Sequence, residues 1–194
     1  MNLFWLDSDV TRCAQAHQDA HVGKMLLEAV QLLCTAFALP YYPFVTWLDS
    51  TPAKRLAADL LPYSHTHVNH PCALWVRASR ANFDRAIELA EALAAEFRYR
   101  FGKAHGSEAA LDWVVRHRAE AQVLDGPLQP FALAMPIEYM PSGASCQWPG
   151  SCVSAYRAYY HAEKRGYWRQ PRDPAKPSVW VPAKWTRRDP PEWF

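Results

Sequence analysis

Apolar side chains recur at helical spacing between residues 17 and 38, and this is the clearest pattern in the chain. Leu26, Leu27, Val30, Leu33 and Cys34 are available for one buried face of an amphipathic helix. The segment therefore predicts a long helix that docks on a core through one stripe and leaves a second stripe free for polar groups.

The remaining pattern predicts further helices, with ends given by capping residues, proline and glycine. Helices are expected from Ser8 or Asp9 to about Ala38 with a break near Asp19, from Thr51-Pro52 to about Leu61, over about 71–101 with Gly102 as the stop, from Ser107 and Glu108 to about Ala121, and over 151–166. No internal repeat is evident.

Clear strand alternation is nearly absent, so the predicted fold class is all-α. Residues 1–7 (MNLFWLD) predict a short strand or an extended segment, and residues 127–150 are expected to be irregular because they are rich in Pro and Gly. We predict a single compact helical domain over residues 1–166. An irregular Pro/Trp-rich basic tail, residues 167–194, packs on it or extends from it.

The polar side of the long helix is unusual in composition. His17, His21, Lys24, Glu28 and Gln31 repeat at intervals of four, three, four and three residues, which places them on one stripe. One interpretation is a solvated face with a Lys24–Glu28 pair worth about 0.3 kcal/mol. The other is a stripe that faces a substrate, with Glu28 as general base or electrostatic stabiliser. For Lys24, a phosphate contact or salt bridge is favoured over a Schiff-base nucleophile.

Charge is distributed unevenly along the 194 residues, although the net charge is only +2. Residues 1–156 carry 12 basic and 15 acidic side chains, whereas residues 157–194 carry nine basic and four acidic ones. A positive segment of this kind attracts phosphate, although an ordinary basic tail has the same composition.

Tryptophan alternates with Arg and Lys in this basic segment. Cations hold phosphates and indole rings stack on bases, so the composition suits nucleic acid; an extended arm that packs its Trp residues on the core is the alternative. Both interpretations are compatible. The residues predicted to contact DNA here are Lys164, Arg165, Trp168 and Arg169.

A second candidate site lies where the sequence reads Asn69-His70-Pro71. We expect Asn69 to cap a helix whose free backbone N–H groups suit an anion. Arg77, with Arg80 and Arg85, gives this helix a basic face, or else the helix is simply solvated. His65, His67, His70 and Cys72 lie close in sequence, but their spacing matches no standard zinc pattern, so a substrate-facing loop is favoured over a metal site.

The rest of the composition excludes several classes of protein. No apolar run approaches the roughly 20 residues that cross a bilayer, and no signal peptide is recognised, so a cytoplasmic location is expected. Cys13, Cys34 and Cys72 are expected to be buried thiols, and a Cys146–Cys152 disulfide is disfavoured there. No Gly-rich phosphate loop or dinucleotide fingerprint occurs, so no cofactor is predicted.

The motif His21-x-x-Lys24-x-x-x-Glu28-x-x-Gln31, followed by Asn69-His70-Pro71-x-x-x-Trp75 and a long helix ending near Gly102, resembles the pyrimidine-dimer DNA glycosylase superfamily. This group includes the phage endonuclease V type and shorter bacterial relatives. In endonuclease V a helical His precedes the catalytic Glu by seven residues, as His21 precedes Glu28. The resemblance covers roughly residues 1–105 and, loosely, the aromatic and basic tail.

The resemblance implies an all-α DNA-repair enzyme in which the α-amino group of the chain attacks the sugar C1′ and forms a Schiff base. Carried over, Glu28 stabilises the sugar cation and assists proton movement, His21 lies beside it, and the amine belongs to the first residue. Because Asn2 is a poor context for removal of Met1, we expect Met1 to supply the amine. His17, Gln31 and Trp75 complete the predicted substrate contacts.

The chain departs from endonuclease V in its greater length, with an added segment over residues 106–150, so neither strand cleavage nor dimer specificity follows from the resemblance.

Three hypotheses about function remain open. The first is a DNA glycosylase, with or without lyase activity, acting on a damaged or modified pyrimidine. The second is a transferase that modifies a base in phage DNA, and the third is a non-catalytic DNA-binding module.

Overall fold

The computed structural model describes residues 1–38, 51–141, 149–171, 173 and 175–194. These residues form seven α-helices, two short 3-10 helices and one two-stranded sheet, which confirms the predominantly α-helical fold class. In chain order they are α1 Val10–Ala16, α2 Asp19–Ala38, α3 Pro52–Ala57, α4 Pro71–Ala78, α5 Arg80–Phe101, α6 Glu108–Arg116, 3-10 helices Arg118–Glu120 and Ile137–Tyr139, α7 Pro149–Glu163, β1 Gly166–Arg169 and β2 Val179–Pro182.

Helix α2 lies at the centre of the fold and packs against α4, α5 and α6. Its apolar stripe is buried, including Leu26, Val30, Leu33 and Cys34, as its spacing predicts. The N-terminal segment is extended, also as predicted, and residues 2–6 are all buried in the core. The first residues of the chain are therefore held inside the fold.

Capping residues in the sequence predict several helix ends correctly. The Asp9 side chain accepts a hydrogen bond from Arg12 N, and Thr51 caps α3 with Pro52 at its first position. Gly102 ends α5 with φ of 66°, in the left-handed region that glycine adopts without strain. The predicted break before Asp19 is also present.

Other helix predictions are wrong in their boundaries. The expected helix over 71–101 is two helices, because Ser79 is extended and caps α5 by accepting from Asn82 N at 3.1 Å. Asn69 is not the cap of α4; His70 is, with Nδ1 accepting from Cys72 N at 3.2 Å. Helices α3 and α6 end earlier than predicted, at Ala57 and Arg116.

The tail, which was predicted to be irregular, contains two short strands. Strands β1 and β2 form an antiparallel hairpin in which Trp168 pairs with Trp180. After the hairpin, Lys184 O accepts from Asp19 N at 2.7 Å, and the buried Trp185 donates from Nε1 to Ala16 O at 3.1 Å. The end of the chain is thus attached to the junction of α1 and α2.

The thiol predictions agree with the structure where it describes them. Cys13, Cys34 and Cys72 are buried, and burial raises the pKa of each thiol, to about 12, 12 and 11. Cys152 is buried as well, but Cys146 lies outside the described residues.

A search of the described residues for a helix both long and apolar enough to cross a membrane finds none.

Candidate active site

The α-amino group of Met1 lies beside the carboxylate of Glu28. Its nitrogen is 3.9 Å from Glu28 Oε2, and the backbone N–H of Asn2 donates to the same oxygen at 2.7 Å. The other oxygen, Oε1, is 3.9 Å from Lys24 Nζ. The Glu28 side chain is 13% exposed and that of Lys24 is 61% exposed, so a recessed carboxylate lies between a buried chain start and a solvated cation.

The side chain of Asn2 holds the start of the chain in this position. Asn2 Nδ2 donates to Ala134 O at 2.6 Å, and Asn2 Oδ1 accepts from Leu3 N at 2.8 Å. The hydroxyl of Tyr156, on α7, lies 2.9 Å from the same Oδ1. Residues more than 130 positions away in sequence therefore position Met1, and no spacing rule links them. Sequence reasoning missed Asn2 and Tyr156 for this reason.

The N-terminus of α4 lies beside the Met1 amine and the Asn2 side chain. Burial lowers the pKa of His70, and the positive charge of the chain's α-amino group lowers it further. The thiol of Cys72 lies 3.8 Å from Asn2 Oδ1. His70 is thus near enough to the amine to respond to its charge, whereas its neighbour Asn69 is an exposed residue in the preceding turn.

His21 is held one turn before Lys24 on the stripe of α2. Its Nδ1 lies 2.7 Å from the hydroxyl of Tyr160, and its ring packs 5.3 Å from that of Phe4. Burial lowers the pKa of His21 to about 3, with smaller contributions from His17, Lys164 and Lys24. His21 is therefore a neutral imidazole at neutral pH. Its hydroxyl partner Tyr160 is a third residue that sequence reasoning missed.

The placement of His17 on the polar stripe is wrong. His17 is the C-cap of α1, with extended backbone, so the register of α2 does not reach it. Its side chain is completely buried, with Nδ1 2.7 Å from Cys13 O and Nε2 unpaired. Burial lowers the pKa of His17 to about 4. A contact between His17 and substrate is excluded by this burial.

The lowered pKa values of His17 and His21 predict a loss of stability in mild acid. In the unfolded chain a histidine titrates near pKa 6.5, so below neutral pH the unfolded state binds protons that the folded state does not. From pH 7 to pH 5.5, His17 and His21 together should lower the free energy of unfolding by about 2.5 kcal/mol. Urea titrations at the two pH values measure this loss.

The loss of stability in the unmodified protein is compared with the loss in variants, because other groups also titrate in this range. For example, Glu120 and Asp59 raise the pKa of His117, so His117 stabilises the fold as the pH falls. His17→Phe should remove about half of the loss, since one of the two titrating rings is gone. His65→Gln, at an exposed position, should leave it unchanged. A loss that is the same in His17→Phe as in the unmodified protein contradicts the assignment.

Several other residues of the predicted site have structural roles instead. Trp75 is buried, packs 5.5 Å from Trp5 and donates from Nε1 to Gln129 O, so its assignment to substrate contact is wrong. Arg77 donates to Val68 O, and burial lowers its pKa. Gln31 is half-buried on α2.

The arginines predicted to form a basic face on α4 and α5 make contacts within the protein. Besides Arg77, the guanidinium groups of Arg80 and Arg85 also bond to backbone carbonyls. Arg80 donates to Arg118 O and Ala121 O, and Arg85 donates to Ser8 O. These cations fasten loops to the helices. They therefore offer no continuous basic surface for an anion.

The tail residues of the predicted site lie on or next to the hairpin and remain accessible. Trp168 is 68% exposed, and its ring lies 5.5 Å from that of Trp180 on the paired strand. Gly166 makes this arrangement possible, because a Cβ there would lie 2.6 Å from Trp180 Cζ2. Arg169 is exposed. The hairpin thus presents an indole pair to solvent.

The two cations before the hairpin make contacts with α7. Lys164 places its Nζ 4.8 Å from the centre of the Tyr159 ring, and Arg165 contacts His161. Both retain freedom to bind an anion, since neither is paired with a carboxylate among the described residues.

Two other kinds of site, a metal site and an open cleft, lie apart from the predicted residues or are absent from the described part of the chain. Among the residues that the structure describes, no group of three or more His, Cys, Asp or Glu side chains is arranged to hold a metal ion. A cleft of about 560 Å³ lies between α1, α7 and the last residues of the chain, with Arg12, Arg157 and Trp193 on its walls. None of its lining residues belongs to the predicted site.

Comparisons of the chain with models of protein families, with curated proteins and with solved structures find no match. The resemblance to the pyrimidine-dimer glycosylases therefore stays a prediction from the sequence motif.

Proposed function

We propose that the protein is a DNA glycosylase that acts on a damaged or modified pyrimidine through the α-amino group of Met1 and the carboxylate of Glu28. The observation that carries the proposal is the position of that amine, 3.9 Å from Glu28 Oε2, in a segment fixed by buried side chains. An amine beside a recessed carboxylate is the arrangement that nucleophilic catalysis with proton transfer requires.

The chemistry follows from these two groups. The ammonium first gives up a proton, and the neutral nitrogen attacks C1′ of the target nucleotide. The bond between C1′ and the base breaks, and the base leaves with the electron pair and takes up a proton. Opening of the sugar ring then gives a Schiff base between Met1 and C1′. Glu28 accepts and returns protons and stabilises positive charge on the sugar.

The surroundings of Glu28 support this role. The N–H of Asn2 fixes the orientation of Oε2, so the carboxylate need not reorganise when charge develops. Lys24, exposed on the preceding turn of α2, would hold a DNA phosphate in this proposal. Elimination of the 3′ phosphate from the Schiff base would add lyase activity. A DNA substrate also accords with the expected cytoplasmic location.

The hairpin supports DNA as the substrate. Its exposed indole pair lies in a segment, residues 164–184, that has one acidic side chain and six basic ones. The basic residues are Lys164, Arg165, Arg169, Arg172, Lys176 and Lys184, against Asp173. Enzymes that work on a base extrude it from the duplex, and aromatic rings that stack on the unpaired bases favour that step.

Trp168→Ala is therefore expected to weaken binding to a duplex with one unpaired base about tenfold, from the loss of one stacking contact. Fluorescence anisotropy with labelled duplexes measures the affinity. Leu124→Ala, at another exposed apolar position, beside the first residue of α5, is the control and should bind as the unmodified protein does. Equal affinity of Trp168→Ala and the control contradicts a role of the hairpin in DNA binding.

The proposed activity is tested with a panel of defined duplexes that carry damaged or modified pyrimidines. Mass spectrometry should detect a released base from at least one duplex, and borohydride should trap a covalent protein–DNA adduct. The intact mass of the protein tests whether Met1 is its first residue. A mass gain on DNA that needs added metabolites would favour a base-modifying transferase instead. No reaction with any duplex, together with unchanged affinity in Glu28→Gln, would favour a non-catalytic DNA-binding module.

A further inference from the structure

The hydroxyl of Tyr160 joins two parts of the fold inside the protein. Tyr160 is fully buried on α7, and its ring packs against those of Phe4, Trp193 and Phe194. Its hydroxyl oxygen accepts from Gln18 N at 3.0 Å and lies 2.7 Å from His21 Nδ1. The orientation of the His21 ring is therefore set by a group that cannot move freely.

Among the described residues, the hydrogen of this hydroxyl has one acceptor, His21 Nδ1. Burial raises the pKa of Tyr160, so the hydroxyl keeps its hydrogen, and both Gln18 groups beside it lower that pKa, as donors do. If His21 carried its hydrogen on Nδ1, that hydrogen and the N–H of Gln18 would both point at the oxygen. The hydroxyl hydrogen would then have no acceptor among the described residues, and a buried unpaired donor is costly. The favoured arrangement has Tyr160 donating to Nδ1.

The other nitrogen of His21 faces outward. Nε2 has no hydrogen-bond partner in the described part of the chain and is not among its completely buried unpaired atoms, so it keeps some contact with solvent. His17 differs in this respect, since its Nε2 is both buried and unpaired. Lys24 lies one turn further along α2, and Lys164 O accepts from Gln18 Nε2 at 2.7 Å. The charges of both lysines lower the pKa of His21. An anionic oxygen would therefore find two cations and one ring N–H here.

We infer that Tyr160 is a positioning residue that holds His21 in the tautomer with its hydrogen on Nε2, and that this N–H binds a phosphate oxygen of the DNA backbone. The identity of the ligand, but not the tautomer, rests on the proposed function. His21 then acts as a hydrogen-bond donor that orients the nucleotide, and Glu28 remains the group that moves protons.

Long-range ¹H–¹⁵N correlation NMR of the full protein tests the tautomer directly. The spectrum at pH 7 should assign the hydrogen of His21 to Nε2. Tyr160→Phe should give a mixture of both tautomers, whereas Tyr159→Phe should leave the spectrum of His21 unchanged, because the Tyr159 hydroxyl has no hydrogen bond among the described residues. A hydrogen on Nδ1 in the unmodified protein, or a charged ring, overturns the inference without the need for any variant.

Titration with a short duplex tests the ligand. Binding should shift the Nε2 resonance of His21, and Tyr160→Phe should lower the affinity about fivefold, the effect of one misplaced hydrogen bond. A bound duplex that leaves the Nε2 resonance unchanged overturns the phosphate contact. A shifted resonance with no base release from any duplex sinks the proposed glycosylase activity while the tautomer and the contact stand. Base release by a protein whose His21 carries its hydrogen on Nδ1 supports the proposed glycosylase activity and overturns the tautomer inference.

Discussion

Glu28→Gln is expected to lower the rate of base release at least about 100-fold, because the amide can neither accept a proton from the amine nor stabilise a sugar cation. Its carbonyl oxygen can still accept from Asn2 N, the contact that Glu28 Oε2 makes at 2.7 Å. The fold and the affinity for duplex DNA should therefore change little. Single-turnover assays with excess protein measure the chemical step apart from binding.

The matched control is Glu88→Gln, which removes an exposed carboxylate that pairs with Arg85 on α5. Its rate of base release should equal that of the unmodified protein. If Glu28→Gln releases base within about threefold of the control rate, a proton-transfer role of 10²-fold or more is excluded, and with it the assignment of Glu28.

Arg100 is expected to contribute most to stability among the charged side chains described here. Its side chain is completely buried and bonds to Glu96 Oε1 at 2.6 Å and to Asp19 Oδ1 at 3.0 Å. It also donates to the carbonyls of Gln15 and His17 at the end of α1. Arg100 therefore ties α5 to the junction of α1 and α2, from which the site helix begins.

The last residues of the chain join the same network. Arg188 donates to both oxygens of Glu96, at 2.5 and 2.8 Å, and Thr186 bonds through N and Oγ1 to the carboxylate of Asp19. The pKa of Glu96 is lowered: burial opposes the charge, but Arg188 and Arg100 outweigh it. Removal of Arg100 would leave buried carboxylates and two carbonyls short of donors.

Arg100→Met is accordingly expected to lower the free energy of unfolding by about 3–5 kcal/mol, the cost of breaking a buried ion pair from one side. Urea unfolding at pH 7 measures it. Arg116→Ala on α6 is the control: Arg116 and its partner Asp59 are both exposed, so its loss should cost less than about 1 kcal/mol. Equal stabilities of the two variants would show that the buried network contributes no more than a surface pair.

The sequence predicts most of the helices because their signals are local. Thr51-Pro52, Asp9 and Gly102 each act within one turn of the backbone, and their effects do not depend on the rest of the fold. Ser79 is a local cap too, but it interrupts a pattern whose apolar spacing continues on both sides. The hairpin has strands of only four residues, too short for alternation to be visible.

The site is predicted only in part, because its geometry depends on contacts between distant segments. Helical spacing places Lys24 and Glu28 together correctly, since both belong to α2. The same reasoning fails for His17, because it lies before the first residue of α2. As the C-cap of α1, His17 has an extended backbone, so the helical spacing of α2 does not apply to its side chain. The meeting of Met1 with Glu28 depends on Asn2 and on Tyr156, 154 residues away, which no periodicity reveals.

The central claim is that the amine of Met1 forms the bond to the sugar, and peptide mapping of the borohydride-trapped adduct tests it most directly. Lys24 Nζ is the competing nucleophile, because it lies 3.9 Å from the same carboxylate group. After nuclease and protease digestion, mass spectrometry should find the reduced sugar on the N-terminal peptide, at the α-nitrogen of Met1. A sugar attached to Lys24, or base release with no trapped adduct at all, would contradict the claim.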